Sequence, residues 1–266
     1  MVSKIHWIMK IKLIKTKAKT IFTKTRLPGL SYVINQYVGC DHLCSYCYAR
    51  FIARWKNYGE WGTWIEAKIN APELVKGKYI KGSVWMSSVS DPYQQVEKKL
   101  KLTRKVLENM DKRIDLSIQT KSDLILRDID LFKEFKNIEI GLTINGFSSK
   151  VKNLFEPYSS SHEKRLKTLK ILKENGLKTY AFISPIIPGL VDVKKCIKES
   201  KNLVDYYWFE FLNLRPCGKD FINVLKKQFP TSCETLRDKT RFSKYVNKIK
   251  EIIKKEKVAV SGVVIH

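Results

Sequence analysis

Short, mostly apolar runs recur along this chain, separated by longer stretches in which lysine and glutamate break up the apolar positions. The runs are "SYVINQYV" (31–38), "SVWMS" (83–87), "IDLSI" (114–118), "IEIGLTI" (138–144), "KTYAFIS" (178–184) and "YYWFEFLNL" (206–214). Runs of this kind, rich in β-branched and aromatic residues, predict strands buried on both faces. Between them, "VEKKLKLTRKVLENM" (96–110) sets Leu100, Val106, Leu107 and Met110 at helical spacing. "SSHEKRLKTLKILKENG" (160–176) opens on a Ser160-x-x-Glu163 capping box and stops at Gly176. Strand then helix, repeated six times, predicts an α/β fold with a parallel sheet and crossover helices. Six units fall short of the eight that close a TIM-type barrel, so an open, partial (β/α)6 barrel is expected. The last apolar run, "VAVSGVVI" (258–265), is expected at a sheet edge. The barrel is assigned to 28–230, between a basic N-terminal extension (1–27) and a C-terminal extension of basic helix and strand (231–266).

In parallel α/β sheets, ligands bind beyond the carboxyl ends of the strands. The segments at those ends are "GCDHLCSYCY", "SVSDPYQ", "QTKSD", "TINGF", "PIIPG" and "NLRPCG". All six are rich in polar, cysteine, glycine or proline residues, as a pocket assembled from several strand ends should be.

A chain of 266 residues, 44% hydrophobic, can bury a full core. No apolar stretch approaches the roughly 18–20 residues that span a bilayer, and lysines interrupt the N-terminus before a signal peptide could form. The expected compartment is the reducing cytoplasm, where clustered cysteines mean metal or redox chemistry. The formal charge is +25, from 51 Lys and Arg against 26 Asp and Glu. An excess of this size points to a polyanionic partner, DNA or RNA. Its distribution agrees: Lys4, Lys10, Lys12, Lys15, Lys17, Lys19, Lys24 and Arg26 all precede the first acidic residue, Asp41. A compositional origin is the competing reading, since about four lysines stand to each arginine. Nothing in the sequence sets an oligomeric state.

The first of the strand ends holds Cys40, Cys44 and Cys47 at C-x3-C-x2-C spacing. Thiolates crowded into one loop are typical ligands of iron–sulfur clusters. Three ligands on a cubane cluster leave the fourth iron open to a small molecule. A zinc site with His42 or a distant cysteine as fourth ligand is the alternative, but no second C-x2-C or H-x3-H follows.

The C-x3-C-x2-C loop after a first strand, with Tyr46 before the third cysteine, resembles the signature of the radical S-adenosylmethionine (SAM) superfamily. Five collinear segments between about Lys19 and Arg215 resemble its spore-photoproduct-lyase-like subgroup: "NQYVGCDHLCSYCYAR", "SSVSDPYQQVEKKLKLTR", "IQTKSDLILRDIDL", "FEPYSSSHEKRLKTLKILKENG" and "PIIPGLVD". The resemblance implies a 4Fe–4S cluster on the three cysteines and SAM on its open iron. One electron from an external reductant would then release a 5′-deoxyadenosyl radical. It also implies Ser90 and Asp91 near the methionyl group and the cluster, Lys121 against the SAM carboxylate and Thr143 at the ribose or the methionyl part. Glu156 and Arg165 would be a pair ordering a loop, and "PIIPG" would line the adenine. One departure matters. Spore photoproduct lyases carry a hydrogen-donating cysteine two residues before the Ser-Asp pair, and Ser88 stands there. Cys217 in "LRPCG" is the replacement candidate, whereas Cys196 sits in a predicted helix and reads as structural. The expected function is a radical SAM enzyme whose substrate the sequence does not name, with DNA or RNA the leading candidate. The alternatives are a radical SAM enzyme modifying a protein or peptide side chain, and a zinc-stabilised nucleic-acid-binding module without catalysis.

Overall fold

The computed structural model describes residues 11–27 and 29–266, so Lys4 and Lys10 of the basic N-terminal run lie outside the described residues. Its strands are β1 (Lys12–Thr16), β2 (Phe22–Lys24), β3 (Tyr32–Ile34), β4 (Tyr37–Val38), β5 (Trp64–Lys68) and β6 (Ser83–Met86). There follow β7 (Asp115–Thr120), β8 (Ile138–Thr143), β9 (Lys178–Ile186), β10 (Tyr206–Phe211) and β11 (Val260–Val264). The chain divides into two compact units, one running to Leu43 and from Ala49 to Ile140, the other made of Cys44–Tyr48 and Gly141–His266.

In the first unit β6 lies between β3 and β7, parallel to both, with β2 antiparallel to β3 at the edge. Val84, Met86, Leu116 and Ile118 are buried along these strands, as their unbroken apolar runs require. The segment 31–38, expected as one strand, is two. Asn35 ends the first: its side-chain oxygen accepts the N–H groups of Ser88 (2.8 Å) and Val89 (3.1 Å) beyond the end of β6. The chain then turns into β4, which joins a second, three-stranded sheet of order β1-β5-β4. In that sheet β1 runs parallel to β5 and β4 antiparallel to it.

The helix expected over 96–110 is also two, Glu97–Leu100 and Leu102–Asn109, broken at Lys101 with φ +48°. The cause is the fully buried Glu97. Its carboxylate accepts the Thr103 N–H at 3.0 Å and so caps the second helix, while it also takes the Tyr37 hydroxyl and Arg127.

In the second unit β10 is flanked by β9 and β11, parallel to both, which places 258–265 at the expected edge. The helix Lys239–Glu256 covers β10, with Phe242 and Tyr245 edge-on to Phe211 and Val246, Ile249 and Ile253 buried. Each such aliphatic side chain contributes about 1.5–3 kcal/mol by leaving water. The helix at 160–176 spans His162–Glu174, and its cap is Ser161 rather than Ser160. The Ser161 hydroxyl accepts the Lys164 N–H, and the Ser160 carbonyl is occupied by the Arg165 guanidinium. Gly176 follows with φ +77°, the left-handed stop the sequence calls for. No helix among the described residues is long and apolar enough to cross a membrane.

Candidate radical SAM site

The cysteine loop begins where β4 ends. Gly39 has φ +88°, and a Cβ there would lie 2.6 Å from the Trp64 carbonyl oxygen, so only glycine lets the chain leave β4 this close to β5. Leu43, between the first and second cysteines, is also left-handed at φ +52°. All six cysteines of the chain are thiols, and Cys40, Cys44 and Cys47 are half-buried. Half-burial suits ligands to a group that must meet a small molecule, whereas the buried Cys196 has its thiol pushed up to about 12 by burial.

The two halves of the loop are held by different partners. In the first unit the Gly39 carbonyl accepts from the Ser90 hydroxyl (2.9 Å) and from Gln94 Nε2 (3.3 Å). Gln94 Oε1 in turn accepts the Asp41 N–H at 2.9 Å. Asp41 then takes the N–H groups of Gln95 and Val96, each at 2.8 Å. His42 Nδ1 lies 3.3 Å from Asp91 Oδ2, an electrostatic contact rather than an aligned hydrogen bond. Asp91 ties this half to the ends of two strands. Its Oδ1 accepts the Tyr93 N–H (2.9 Å) and the Thr120 hydroxyl (2.6 Å), and its Oδ2 accepts the Lys121 N–H (2.8 Å). Burial alone would raise this carboxyl, but His42, Thr120 and the Lys121 N–H bring it down to about 2. Three hydrogen bonds from the protein, with His42 alongside, already occupy most of the acceptor positions of Asp91.

In the second unit the Ser45 N–H donates to the Phe155 carbonyl at 3.0 Å, and the Cys47 N–H closes a turn on the Cys44 carbonyl at 3.1 Å. Tyr46, between those cysteines, donates its hydroxyl to Glu156. Glu156 is fully buried, and its remaining acceptor positions are taken by Asn145 Nδ2 (2.8 Å), the Ser159 hydroxyl (3.1 Å) and Arg165 Nη2. Arg165, also buried, donates to the Thr143 carbonyl at 3.0 Å. Burial and the neighbouring carboxylate both raise the Tyr46 phenol, which keeps it a donor. Cys217 lies against the same loop: its thiol donates to the Asn213 carbonyl (3.1 Å) and meets the Tyr46 carbonyl at 3.6 Å.

The structure thus brings Ser90, Asp91 and Lys121 together around the first half of the loop. Glu156, Arg165, Thr143, Tyr46 and Cys217 gather around the second. Thr143 is fully buried at the end of β8, and Lys121 is half-buried just past β7. Sequence reading missed Gln94 and Asn145, because a glutamine or asparagine carries no signal until its partner is known. It also missed Glu210, which accepts from the Ser184 hydroxyl at 2.7 Å and faces His266 at 3.2 Å. Among the described residues, no three His, Cys, Asp or Glu side chains are arranged to hold a single metal ion.

A family model described as the radical SAM superfamily matches residues 34–198, from β3 to the helix Val193–Ser200. The chain belongs to the radical SAM superfamily. Membership makes it a radical SAM enzyme and implies SAM and an iron–sulfur cluster, which sets aside the zinc module without catalysis. An uncharacterized protein of Methanocaldococcus jannaschii is 52% identical over 97% of this chain and 99% of its own length. An uncharacterized protein of the Acidianus two-tailed virus is 29% identical over 73% of this chain and 71% of its own. Among solved structures, spore photoproduct lyase complexed with dinucleoside spore photoproduct matches with a TM-score of 0.67 at 17% identity, covering 94% of this chain and 81% of that one. SuiB of Streptococcus suis bound to its precursor peptide SuiA matches at 0.54 and 15% identity, over 88% of this chain and 48% of that one. The shared architecture is the partial barrel expected of a radical SAM fold.

Proposed function

We propose that this radical SAM enzyme holds a 4Fe–4S cluster on Cys40, Cys44 and Cys47 and cleaves SAM reductively, acting on nucleic acid in the cytoplasm. The observation that carries this reading is the loop itself: three half-buried thiols, with the first half of the loop bonded by Ser90 and Gln94 and the second anchored through Tyr46 to the buried Glu156. When bound, the cluster supplies one electron, drawn from an external reductant, to the sulfonium of SAM and so provides a 5′-deoxyadenosyl radical. The chain's own residues bind and orient. Gly39, Leu43 and the Cys44–Cys47 turn set the thiols. Ser90 and Asp91 hold the first half of the loop, and Tyr46, Glu156 and Arg165 hold the second. Thr143 closes β8 beside the ribose. Lys121 offers an ammonium to the SAM carboxylate. Cys217 offers the S–H bond that Ser88 cannot, since a thiol gives up a hydrogen atom far more readily than an alcohol.

Nucleic acid is favoured by the +25 charge and by the likeness to spore photoproduct lyase, whose structure holds a dinucleoside. A peptide substrate is the second reading, favoured by the likeness to SuiB, which is bound to a peptide. The test is anaerobic iron–sulfide reconstitution followed by a dithionite assay. A brown protein that forms 5′-deoxyadenosine from SAM is expected, and a colourless protein that forms none sinks the proposal.

Lys121 has its own test. A charge-assisted hydrogen bond in a partly dehydrated site contributes on the order of 1.5–3 kcal/mol. Lys121→Ala should therefore weaken SAM binding about tenfold to a hundredfold while bound iron stays the same. Unchanged SAM affinity, measured by equilibrium dialysis, would return Lys121 to the ordinary surface lysines.

A further inference from the structure

Directly after the third cysteine the chain reads "YARFIARWKNYGEWGTW" (48–64), and this stretch presents an aromatic residue to solvent where burial would be expected. Trp55 is 76% exposed, the highest value of any large hydrophobic side chain among the described residues. An indole that open to water is uncommon, because it is a large apolar surface with a single polar tip. It is not the loose end of a floppy loop. Phe51 meets it edge-on, with ring centroids 5.2 Å apart, and the Trp55 N–H donates to the Ile52 carbonyl at 3.0 Å. The following residues are pinned to β5: Tyr58 and Trp61 pack edge-on against the buried Trp64, whose indole N–H donates to the Gly59 carbonyl at 3.0 Å.

Cations flank this stretch in the chain and across β5. Arg54 is exposed beside it, and Lys56 reaches Glu66 of β5 at 2.6 Å. Register places Lys12 opposite Trp64 and Ile14 opposite Glu66, so Lys12 shares the face of β5 that residues 55–64 cover. Lys15 pairs with Ala67 and so points to the other face of the sheet, while Lys17 and Lys19 are exposed beyond the end of β1. Between Lys12 and Lys68 there are ten Lys and Arg against three acidic residues. Of those three, Asp41 is buried against backbone N–H groups and Glu66 is already shared by Lys56 and Thr16, which leaves Glu60.

We propose that Trp55, with Arg54 and Lys12, is a binding surface for single-stranded nucleic acid. A base stacks on the indole while the cations take the phosphates. The inference deepens the nucleic-acid reading given above and rests on it. Single strands are chosen over duplex because an exposed ring gains by stacking only on a base that has left its own stack, whereas lysines alone do not distinguish the two. A lipid surface would also accept tryptophan and lysine, and the test separates it.

Binding of a fluorescein-labelled twelve-nucleotide single strand, of the same sequence as a duplex, and of anionic vesicles is measured on the reconstituted full-length protein across a salt series. The single strand should bind, and Trp55→Ala should weaken it about tenfold to a hundredfold without changing the slope of log K against log salt. Changing Arg54 and Lys12 together to Gln should reduce that slope by about two units. Both variants should keep wild-type iron and wild-type SAM cleavage without substrate. Unchanged single-strand affinity in Trp55→Ala, equal binding of the duplex, or binding to vesicles alone would each overturn the proposal. Absence of single-strand binding in a protein that still cleaves SAM would refute this inference and leave the enzyme assignment standing, whereas absence of SAM cleavage would strike the assignment itself.

Discussion

Replacing Cys44 with alanine is expected to remove most of the bound iron and all 5′-deoxyadenosine formation. The same holds for Cys40 and Cys47, because a cluster held by three thiolates does not survive on two. The loop has no substitute ligand: Asp41 is spent on the N–H groups of Gln95 and Val96, and His42 lies against Asp91. Cys196→Ala is the internal control. Its thiol is buried in the helix Val193–Ser200 and held well above the range in which thiolates form, so iron content and activity should stay near wild type. The measurement is iron per chain after anaerobic reconstitution, paired with chromatographic detection of 5′-deoxyadenosine. A Cys44→Ala protein that cleaved SAM at the wild-type rate would end the assignment.

Glu156→Ala should be the most damaging change outside the cysteines. It leaves the guanidinium of Arg165 buried without its carboxylate and strips acceptors from Tyr46, Asn145 and Ser159. Breaking a buried ion pair by removing one partner costs about 3–5 kcal/mol. For a domain of this size, with a shift of roughly 2–4 °C per kcal/mol, Tm should fall by about 6–20 °C. Iron retention should fall as well, because Tyr46 sits between two of the three cysteines and loses its anchor. Tyr46→Phe separates the two effects. It deletes only the hydroxyl, so its Tm should move far less while iron is still lost more readily under a chelator. If Glu156→Ala lowers Tm yet both variants hold iron like wild type, the network supports the fold alone and does not position the loop. Because Glu156 and Arg165 are both fully enclosed, the Tm effect should depend little on salt, unlike that of a surface pair.

The strand pattern, the C-x3-C-x2-C loop and the family were legible from the amino acids, for physical reasons. A strand buried on both faces must be apolar at nearly every position, and "IEIGLTI" or "KTYAFIS" can be little else. A thiolate cluster in one loop is written in consecutive residues, so spacing alone exposes it. What stayed hidden depends on partners distant in sequence. β1 reads as a basic extension because its lysines look solvated, and only β5, some fifty residues on, makes a strand of it. The run 31–38 splits into two strands because Asn35 finds the N–H groups beyond β6, a capture that no propensity encodes. The helix over 96–110 breaks because Glu97 is buried and caps its own successor. Asp91 and Glu156 stand out in the sequence as carboxylates near a cofactor. Counting donors at their oxygens shows three on Asp91 and four on Glu156, all from the protein, and that count exists only in three dimensions. The same is true of Trp55. Its identity is plain in the sequence, but whether an indole lies in a core or open to solvent is a matter of what packs around it, and tertiary structure alone decides that.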